Sequence, residues 1–188
     1  MNNETIKIKK KDLRNLYAVQ TNYSSISKEQ DITERVKTFE DACRELGDEH
    51  PFVIQYREIY DNFLDGAAPN NSCDIVAYLK LRIICAALNE GWEPQFTEDE
   101  WRWYPWFFLW TSAELDEKNE EWKQDKHLIS TGDFHTEYAG FASARSIDAP
   151  SCACAHFGSR LCLKSEALAD YCGKQFIKIW ADFNLIRR

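Results

Sequence analysis

The sequence contains no run of about 18 apolar residues, the length that a helix needs to cross a bilayer, so we expect no membrane span. Glycine and proline are scarce, with 7 and 5 among 188 residues, which favours short loops between regular elements. Basic residues are fewer than acidic ones, and the net charge is −8. Because nucleic-acid binding needs a basic field, this composition argues against direct contact with DNA or RNA.

Complete catalytic motifs are also missing. The sequence has no nucleophile elbow, no P-loop, no zinc-protease helix motif and no dinucleotide-binding fingerprint, so it predicts no catalytic residue and no cofactor. The first residues are basic but lack the apolar segment of a secretory signal, so we expect a cytoplasmic protein. The seven cysteines, an odd number, are typical of reduced thiols in that compartment. Cys43, Cys85 and Cys172 fall in apolar helical patterns and should be buried.

A change of composition divides the chain into an arm and one domain. Residues 1–30 are polar and basic and are predicted to form an N-terminal arm. Residues 31–188 are predicted to form a single α+β domain, because helical patterns come first and strand-like segments follow. We expect helices over 31–91, strands over 92–163 and a closing helix over 165–186. The central and C-terminal helices should pack against a small antiparallel sheet.

Capping residues and apolar periodicity set the predicted helices. Asp31 can cap a helix that ends at Gly47, and Pro51 can open a second one. A third helix, over 73–90, is apolar almost all round at its centre and should be the central helix of the core. Ser165 can cap the last helix, whose wide apolar face should pack on the sheet.

The strands are predicted from aromatic content and turn residues. The segment WRWYPWFFLW (101–110) holds seven aromatic residues in ten, which favours a strand, and Pro105 suggests an edge position or a bulge. An acidic, solvated helix over 111–126 should follow. Turn residues at Gly132, 148–150 and Gly158 separate four shorter predicted strands: 127–131, 137–144, 152–156 and 159–163.

The Trp-rich strand and the acidic helix after it are the strongest candidate binding site. Alternate side chains of a strand face opposite sides, so this strand is aromatic on both faces. Its rings either fill the core or form an exposed surface for a partner's side chains, a sugar or a base. The candidate binding residues are Trp101, Trp103, Tyr104, Trp106, Trp110, Glu114, Asp116, Glu117, Glu120 and Glu121.

A second candidate is a metal site. Cys152, Cys154 and His156 alternate, and thiolates and imidazole are the ligand types that zinc prefers. His135 or Cys162 could supply a fourth ligand; the alternative is that small residues pack a tight sheet here. Asp133, His135 and Glu137 also alternate along the chain. They could act as metal ligands or as an acid–base set, or they could simply belong to a polar loop and the start of a strand.

The charge pattern offers two further interpretations. Residues 31–66 and 93–126 each hold ten acids and four bases, and this acidic belt could bind a basic partner surface or simply form solvated helix faces. Lys174 and Lys178 are four residues apart and should share a helix face that could contact phosphate. They belong to a basic set near the end of the chain: Arg145, Arg160, Lys164, Lys174, Lys178, Arg187 and Arg188.

Four stretches resemble a known family: TFEDACRELG (38–47), AYLKLRIICAALNEGWEP (77–94), WYPWF (103–107) and GSRLCLKSEALADYCGKQFI (158–177). The family consists of small proteins from gut Bacteroidota, their phages and their mobile elements, with no established activity. The resemblance covers residues 31–186 and leaves residues 1–30 outside it. It implies a bacterial cytoplasm and a phage or mobile-element origin.

The leading hypothesis is a non-enzymatic, phage-type interaction protein that binds a host or phage protein. One such role is inhibition of a bacterial defence system, for example a CRISPR nuclease, since an acidic surface can occupy a basic nucleic-acid groove. One alternative is a binding module or enzyme for a nucleotide or glycan that uses the Trp-rich strand. Another is a structural virion protein or a replication accessory protein.

Overall fold

The computed structural model describes residues 30–63, 73–95, 97, 99–150 and 158–188. Over these residues the chain folds into eight α-helices, one 3-10 helix and a three-stranded antiparallel sheet. The predicted α+β class is therefore confirmed. Except for residue 30, the predicted arm lies outside the described residues. No helix in the described part of the chain is long and apolar enough to span a bilayer.

The first predicted helix is two helices, α1 (Ile32–Arg35) and α2 (Phe39–Leu46). The side chain of Asp31 caps α1, as predicted. Thr38 then begins a new helix, because its hydroxyl accepts the Asp41 backbone N–H while the Asp41 carboxylate accepts the Thr38 backbone N–H. This capping box competes with continuation of α1. The prediction of one continuous helix over 31–46 was wrong for this reason.

The central helix is placed as the apolar pattern predicts. Helix α3 (Pro51–Phe63) precedes α4 (Cys73–Leu88), and Leu81, Ile83 and Leu88 of α4 are fully buried. Helix α4 packs against α2, α3 and the C-terminal helices. It can do so because apolar side chains surround it on nearly every side.

The sheet consists of β1 (Trp101–Trp110), β2 (Ile129–Ser130) and β3 (Gly140–Pro150), in the order β1-β3-β2. Among the described residues β1 lies at the edge of the sheet, which is one of the two alternatives that Pro105 suggested, an edge position or a bulge. The Trp103 backbone N–H faces away from β3 and donates to the Leu163 carbonyl. Pro105 lies two residues further along the strand, so its backbone nitrogen faces the same outer side. The N–H that proline lacks is thus missing on the outer side. The pairing register shifts between Trp106 and Phe107.

The acidic helix over 111–126 is also divided, into α5 (Ser112–Asp116) and α6 (Glu120–Asp125). Thr111 caps α5, which starts at Ser112 within the predicted range, and Asn119 caps α6. The side chain of Asn119 accepts the Trp122 backbone N–H, and this cap begins a new helix where one continuous helix was predicted.

Two predictions in the second half of the chain were wrong. The predicted strand 159–163 is a 3-10 helix, Ser159–Leu161, followed by a single bridge between Leu163 and Trp103. The buried Asn89 side chain donates to the Cys162 carbonyl at 2.9 Å and accepts the Lys164 N–H at 3.0 Å, so backbone groups here are satisfied without a ladder. The predicted turn at 148–150 is the end of β3, which stays paired with β1.

The closing helix is confirmed at its start, where Ser165 caps α7 (Glu166–Gln175), but a break at Phe176 separates α8 (Ile177–Asn184). Helix α7 packs on β1 and β3, as predicted. Gly173 makes this close approach possible, since a Cβ there would lie 2.9 Å from the Pro105 Cβ. One contiguous set of buried side chains, from Ile32 to Ala181, joins the helices to this face of the sheet.

Candidate functional site

The two faces of β1 have different surroundings. Trp103, Phe107 and Leu109 point toward α7 and α8 and pack against the main core. The Phe107 ring stacks on Phe141 with centroids 4.7 Å apart and lies 5.6 Å from Trp180. Trp103, a predicted binding residue, is therefore half-buried against the core. On this face of β1 the rings fill the core and do not form an exposed surface.

Tyr104, on the opposite face, is fully buried beside Arg102 and Cys162. Burial raises the pKa of the Tyr104 hydroxyl to about 12, and burial also raises the pKa of the Cys162 thiol to about 11. The Cys162 thiol donates to the Ser159 carbonyl at 2.8 Å, and the Trp92 side chain packs against Tyr104 and Cys162. A binding role for Tyr104 at an exposed surface does not agree with this position.

Three aromatic residues, one exposed and two half-buried, meet near the C-terminal end of β1. Phe108 is 50% exposed, and its ring lies 6.2 Å from that of Trp110. Trp110 in turn meets Trp122 of α6 edge to face at 5.0 Å. The ammonium group of Lys118 lies 5.4 Å from the Trp110 ring and 5.6 Å from the Trp122 ring. These contacts fix three aromatic rings at the surface, where their geometry favours recognition of a partner.

The predicted carboxylates lie on or beside α5 and α6, the same stretch of chain that carries Trp122, and they differ in their contacts. Glu114 accepts the backbone N–H and the hydroxyl of Thr111, and these hydrogen bonds hold the pKa of Glu114 below its usual range. Glu120 forms an ion pair with Lys123 at 2.8 Å. Three predicted acids are exposed and form no ion pair with another described residue: Asp116, Glu117 and Glu121.

We define the aromatic–acidic surface as Phe108, Trp110 and Trp122 together with the free carboxylates Asp116, Glu117 and Glu121. It combines half-exposed rings with unpaired negative charge on one short stretch of chain. Such a surface can supply buried anchors to a partner and steer a basic partner toward them.

The other predicted tryptophans lie apart from this surface. Trp101 is 54% exposed but stands at the opposite end of β1. At about 3.3 Å per residue, the strand separates it from Trp110 by about 30 Å. Trp106 is half-buried, and the register places the exposed Arg145 opposite it. The predicted residues thus do not form one site.

Nothing in the described residues assembles the predicted metal site. Cys152, Cys154 and His156 lie outside those residues. Of the proposed fourth ligands, His135 is exposed, and the thiol of Cys162 is buried and hydrogen-bonded. The described part of the chain contains no cluster of three or more histidine, cysteine or acidic side chains that could hold a metal ion.

The basic set is dispersed, apart from Lys174 and Lys178, which line one groove. They lie on α7 and α8, so the prediction that they share one helix face was wrong because the chain breaks at Phe176. Lys164 pairs with Glu90 at 2.9 Å, and Arg187 pairs with Asp182. Arg160 lines a cavity of about 590 Å³. The walls of this cavity include Phe52 and Trp92, whose rings could contact a small ligand. That cavity contains no residue of the Trp-rich strand, on which the small-ligand hypothesis depends.

Phe108 and Trp122 belong to the aromatic–acidic surface and Lys118 lies against its rings, but none of the three was among the predicted binding residues. The sequence holds a partial signal for Trp122, since it is a large apolar residue within an otherwise polar, acidic stretch. Its contact with Trp110 depends on how α6 folds back toward the end of β1, and residue spacing does not contain that information.

Comparison with models of protein families, with functionally characterised proteins and with solved structures finds no match to this chain. The family resemblance therefore stays a prediction, and the function has to be argued from the surfaces of the molecule.

Proposed function

We propose that this protein acts by binding another protein through the aromatic–acidic surface, with a partner whose contact surface is basic. The observation that carries the proposal is the position of Phe108, half exposed beside Trp110 and followed along the chain by three exposed carboxylates that form no ion pair among the described residues. Large rings with few rotatable bonds are over-represented among the residues that dominate binding energy. The free carboxylates add attraction for cations and repulsion of nucleic acid.

The net charge of −8 narrows the class of partner. A nucleic-acid-binding protein presents a basic groove, and an acidic protein can occupy that groove in place of the phosphate backbone. The resemblance to proteins of phages and mobile elements adds a bacterial defence nuclease as the expected kind of target. In this proposal the protein inhibits its target by occupying the nucleic-acid groove, and it needs no catalytic residue or cofactor.

The test compares two aromatic substitutions on the same strand. Phe108→Ser removes a ring that is 50% exposed within the surface, and Trp101→Ser removes one that is 54% exposed at the far end. We expect Phe108→Ser to reduce retention of a partner from lysate of a gut Bacteroidota host about tenfold, as loss of a binding hot spot does. Trp101→Ser should retain the partner.

A charge-matched pair of variants tests the acidic half of the surface. Asp116→Asn, Glu117→Gln and Glu121→Gln together should weaken capture and flatten its dependence on salt, since they remove three free carboxylates. Glu49→Gln, Asp99→Asn and Glu137→Gln change the net charge equally at exposed positions elsewhere. Equal effects of the two sets, or equal effects of the two aromatic substitutions, would refute the proposal.

A further inference from the structure

A groove with a volume of about 830 Å³ lies between α6, β2 and the junction of α7 and α8. Three stretches of chain that are distant in sequence form its walls: 37–38, 120–129 and 174–179. Its volume falls in the range of about 300–1,000 Å³ that is usual for small-molecule sites. It contains none of the aromatic residues of the aromatic–acidic surface.

The rim of the groove is basic in a protein that is acidic overall. Four lysines line it: Lys37, Lys123, Lys174 and Lys178. Three of them already have an acidic neighbour, with nitrogen-to-oxygen distances of 2.7 Å to Glu34, 2.8 Å to Glu120 and 3.2 Å to Asp125, respectively. Lys178 is exposed and forms no ion pair with any residue that the structure describes. Within that part of the chain the rim therefore has one uncompensated cation, which suits one anionic group.

The floor of the groove is aliphatic and aromatic. Phe176 and Ile177 are buried there, and Ile129 and Ile179 are half-buried. The methylene stems of the rim lysines extend this apolar surface while their ammonium groups stay in water. An apolar floor beneath a basic rim matches a molecule with an apolar body and an anionic head.

We infer that this groove binds a soluble amphiphile, an alkyl chain that carries one carboxylate or phosphate head. The head lies against Lys178 and the alkyl chain lies on Ile177 and Ile179. A nucleic acid or a strongly acidic peptide fits less well, because the neighbouring carboxylates cancel most of the lysine charge. The inference is independent of the aromatic–acidic surface.

Displacement of a fluorescent probe tests the inference. The probe is anilinonaphthalene sulfonate, and decanoate is the competitor below its micelle concentration. We expect saturable displacement by decanoate and none by decyltrimethylammonium, which has the same chain and the opposite charge. Octanoate should compete more weakly than decanoate, by up to about fourfold for each methylene removed, because each carbon loses contact with the floor.

Matched variants locate the head group. Lys178→Gln should weaken decanoate competition about fivefold, the scale of one exposed ion pair. Arg188→Gln removes an exposed cation outside the groove and should leave competition unchanged. Phe108→Ser should also leave it unchanged, so failure of the proposed function and failure of this inference can be told apart. Equal competition by the cationic amphiphile, or an equal loss in both charge variants, would overturn the inference.

Isoleucine methyl resonances locate the alkyl chain. With decanoate we expect shifts at Ile129, Ile177 and Ile179, while Ile75, which is 55% exposed on α4, stays unmoved. Shifts of similar size at Ile75 would mean nonspecific adsorption. Competition by oligoglutamate with none by decanoate would assign the groove to an acidic peptide. Either result contradicts the inference.

Discussion

Gly173 shows how a single residue sets the distance between two layers. It lies on the side of α7 that faces the sheet, and a Cβ there would be 2.9 Å from the Pro105 Cβ and 3.6 Å from the Phe107 ring. Proline cannot move its Cβ without moving the strand. The absence of one methyl group at this position thus allows the helix to pack directly on the aromatic strand.

We expect Gly173→Ala to lower the free energy of unfolding by about 1–2 kcal/mol, because overpacking against a rigid strand outweighs the helix propensity gained with alanine. Gly132→Ala is the control, since its nearest contact would be the flexible Ser130 hydroxyl at 3.5 Å. The control should change stability by less than about 0.5 kcal/mol in urea unfolding. A neutral or stabilising effect at Gly173 would mean that the layers can separate freely.

Cysteines follow the same residue-scale logic. Cys85, Cys162 and Cys172 are fully buried and free, and Cys43 is free and half-buried. For Cys85 and Cys172 this confirms the prediction that cysteines in apolar helical patterns act as small apolar residues. A hydrogen bond with Cys172 and burial both raise the pKa of Cys85, which keeps its thiol protonated and unreactive.

At the scale of elements, capping decides where a helix stops and the next one starts. Thr38 and Asn119 each sit inside a stretch that was predicted as one helix, and each begins a new one. The chain can then turn between short helices without an extended loop. The short pair α5 and α6 brings Trp122 onto Trp110, so the caps also shape the aromatic–acidic surface.

The capping box of α2 predicts a pH-dependent stability. Burial alone would raise the pKa of Asp41, but hydrogen bonds from Thr38 and Lys37 and the pairing with Arg44 outweigh it and lower that pKa below 3.8. The stabilisation is therefore complete above pH 3.8 and is lost as pH falls through the lowered pKa.

We expect Asp41→Asn to cost about 0.5–2 kcal/mol at pH 7, the usual range for a cap, and to cost progressively less as the pH falls from 3.8 through the lowered pKa. Glu40→Gln, which removes the neighbouring first-turn charge outside the box, should cost less at every pH. Urea titrations of both variants from pH 2 to 7 measure the difference. An Asp41→Asn penalty that does not change with pH would contradict this assignment.

At the scale of the whole molecule, one core joins elements from both halves of the described chain. Buried side chains from Ile32 in α1 to Trp180 and Ala181 in α8 form a single cluster around α4. The 3-10 helix is tied to the same helix through Asn89. Helices and sheet therefore share their buried surface, and neither has a separate core of comparable size.

This arrangement predicts one cooperative unfolding transition. Far-ultraviolet circular dichroism, which reports mainly the helices, and tryptophan fluorescence, which includes the buried Trp180 and the strand tryptophans, should give the same urea midpoint. Leu88→Ala in α4 should shift both midpoints together, at a cost of about 2–5 kcal/mol. Glu166→Gln, at an exposed helix position, is the control. Separate midpoints for the two signals would indicate two domains.

How much of this could be read from the sequence differs between elements. Asp31, Ser165 and Pro51 mark helix starts through local hydrogen bonding and backbone geometry, so their effect is visible in a single sequence. Residues 159–163 look like a strand by composition, yet only Leu163 pairs with the sheet, and Asn89, about 70 residues away, binds the backbone of Cys162 and Lys164 on either side of it. Such a long-range contact leaves no local pattern.

The sequence by itself determined the fold class, the central helix and the edge strand, because periodicity and proline geometry act over a few neighbouring residues. Only the tertiary structure decided which aromatic side chains are accessible. Alternation puts Tyr104 and Phe108 on the same face of β1, but neighbouring segments cover the first and leave the second half exposed. The tertiary structure also decided where the basic groove lies, since its lysines come from distant stretches that only folding brings together.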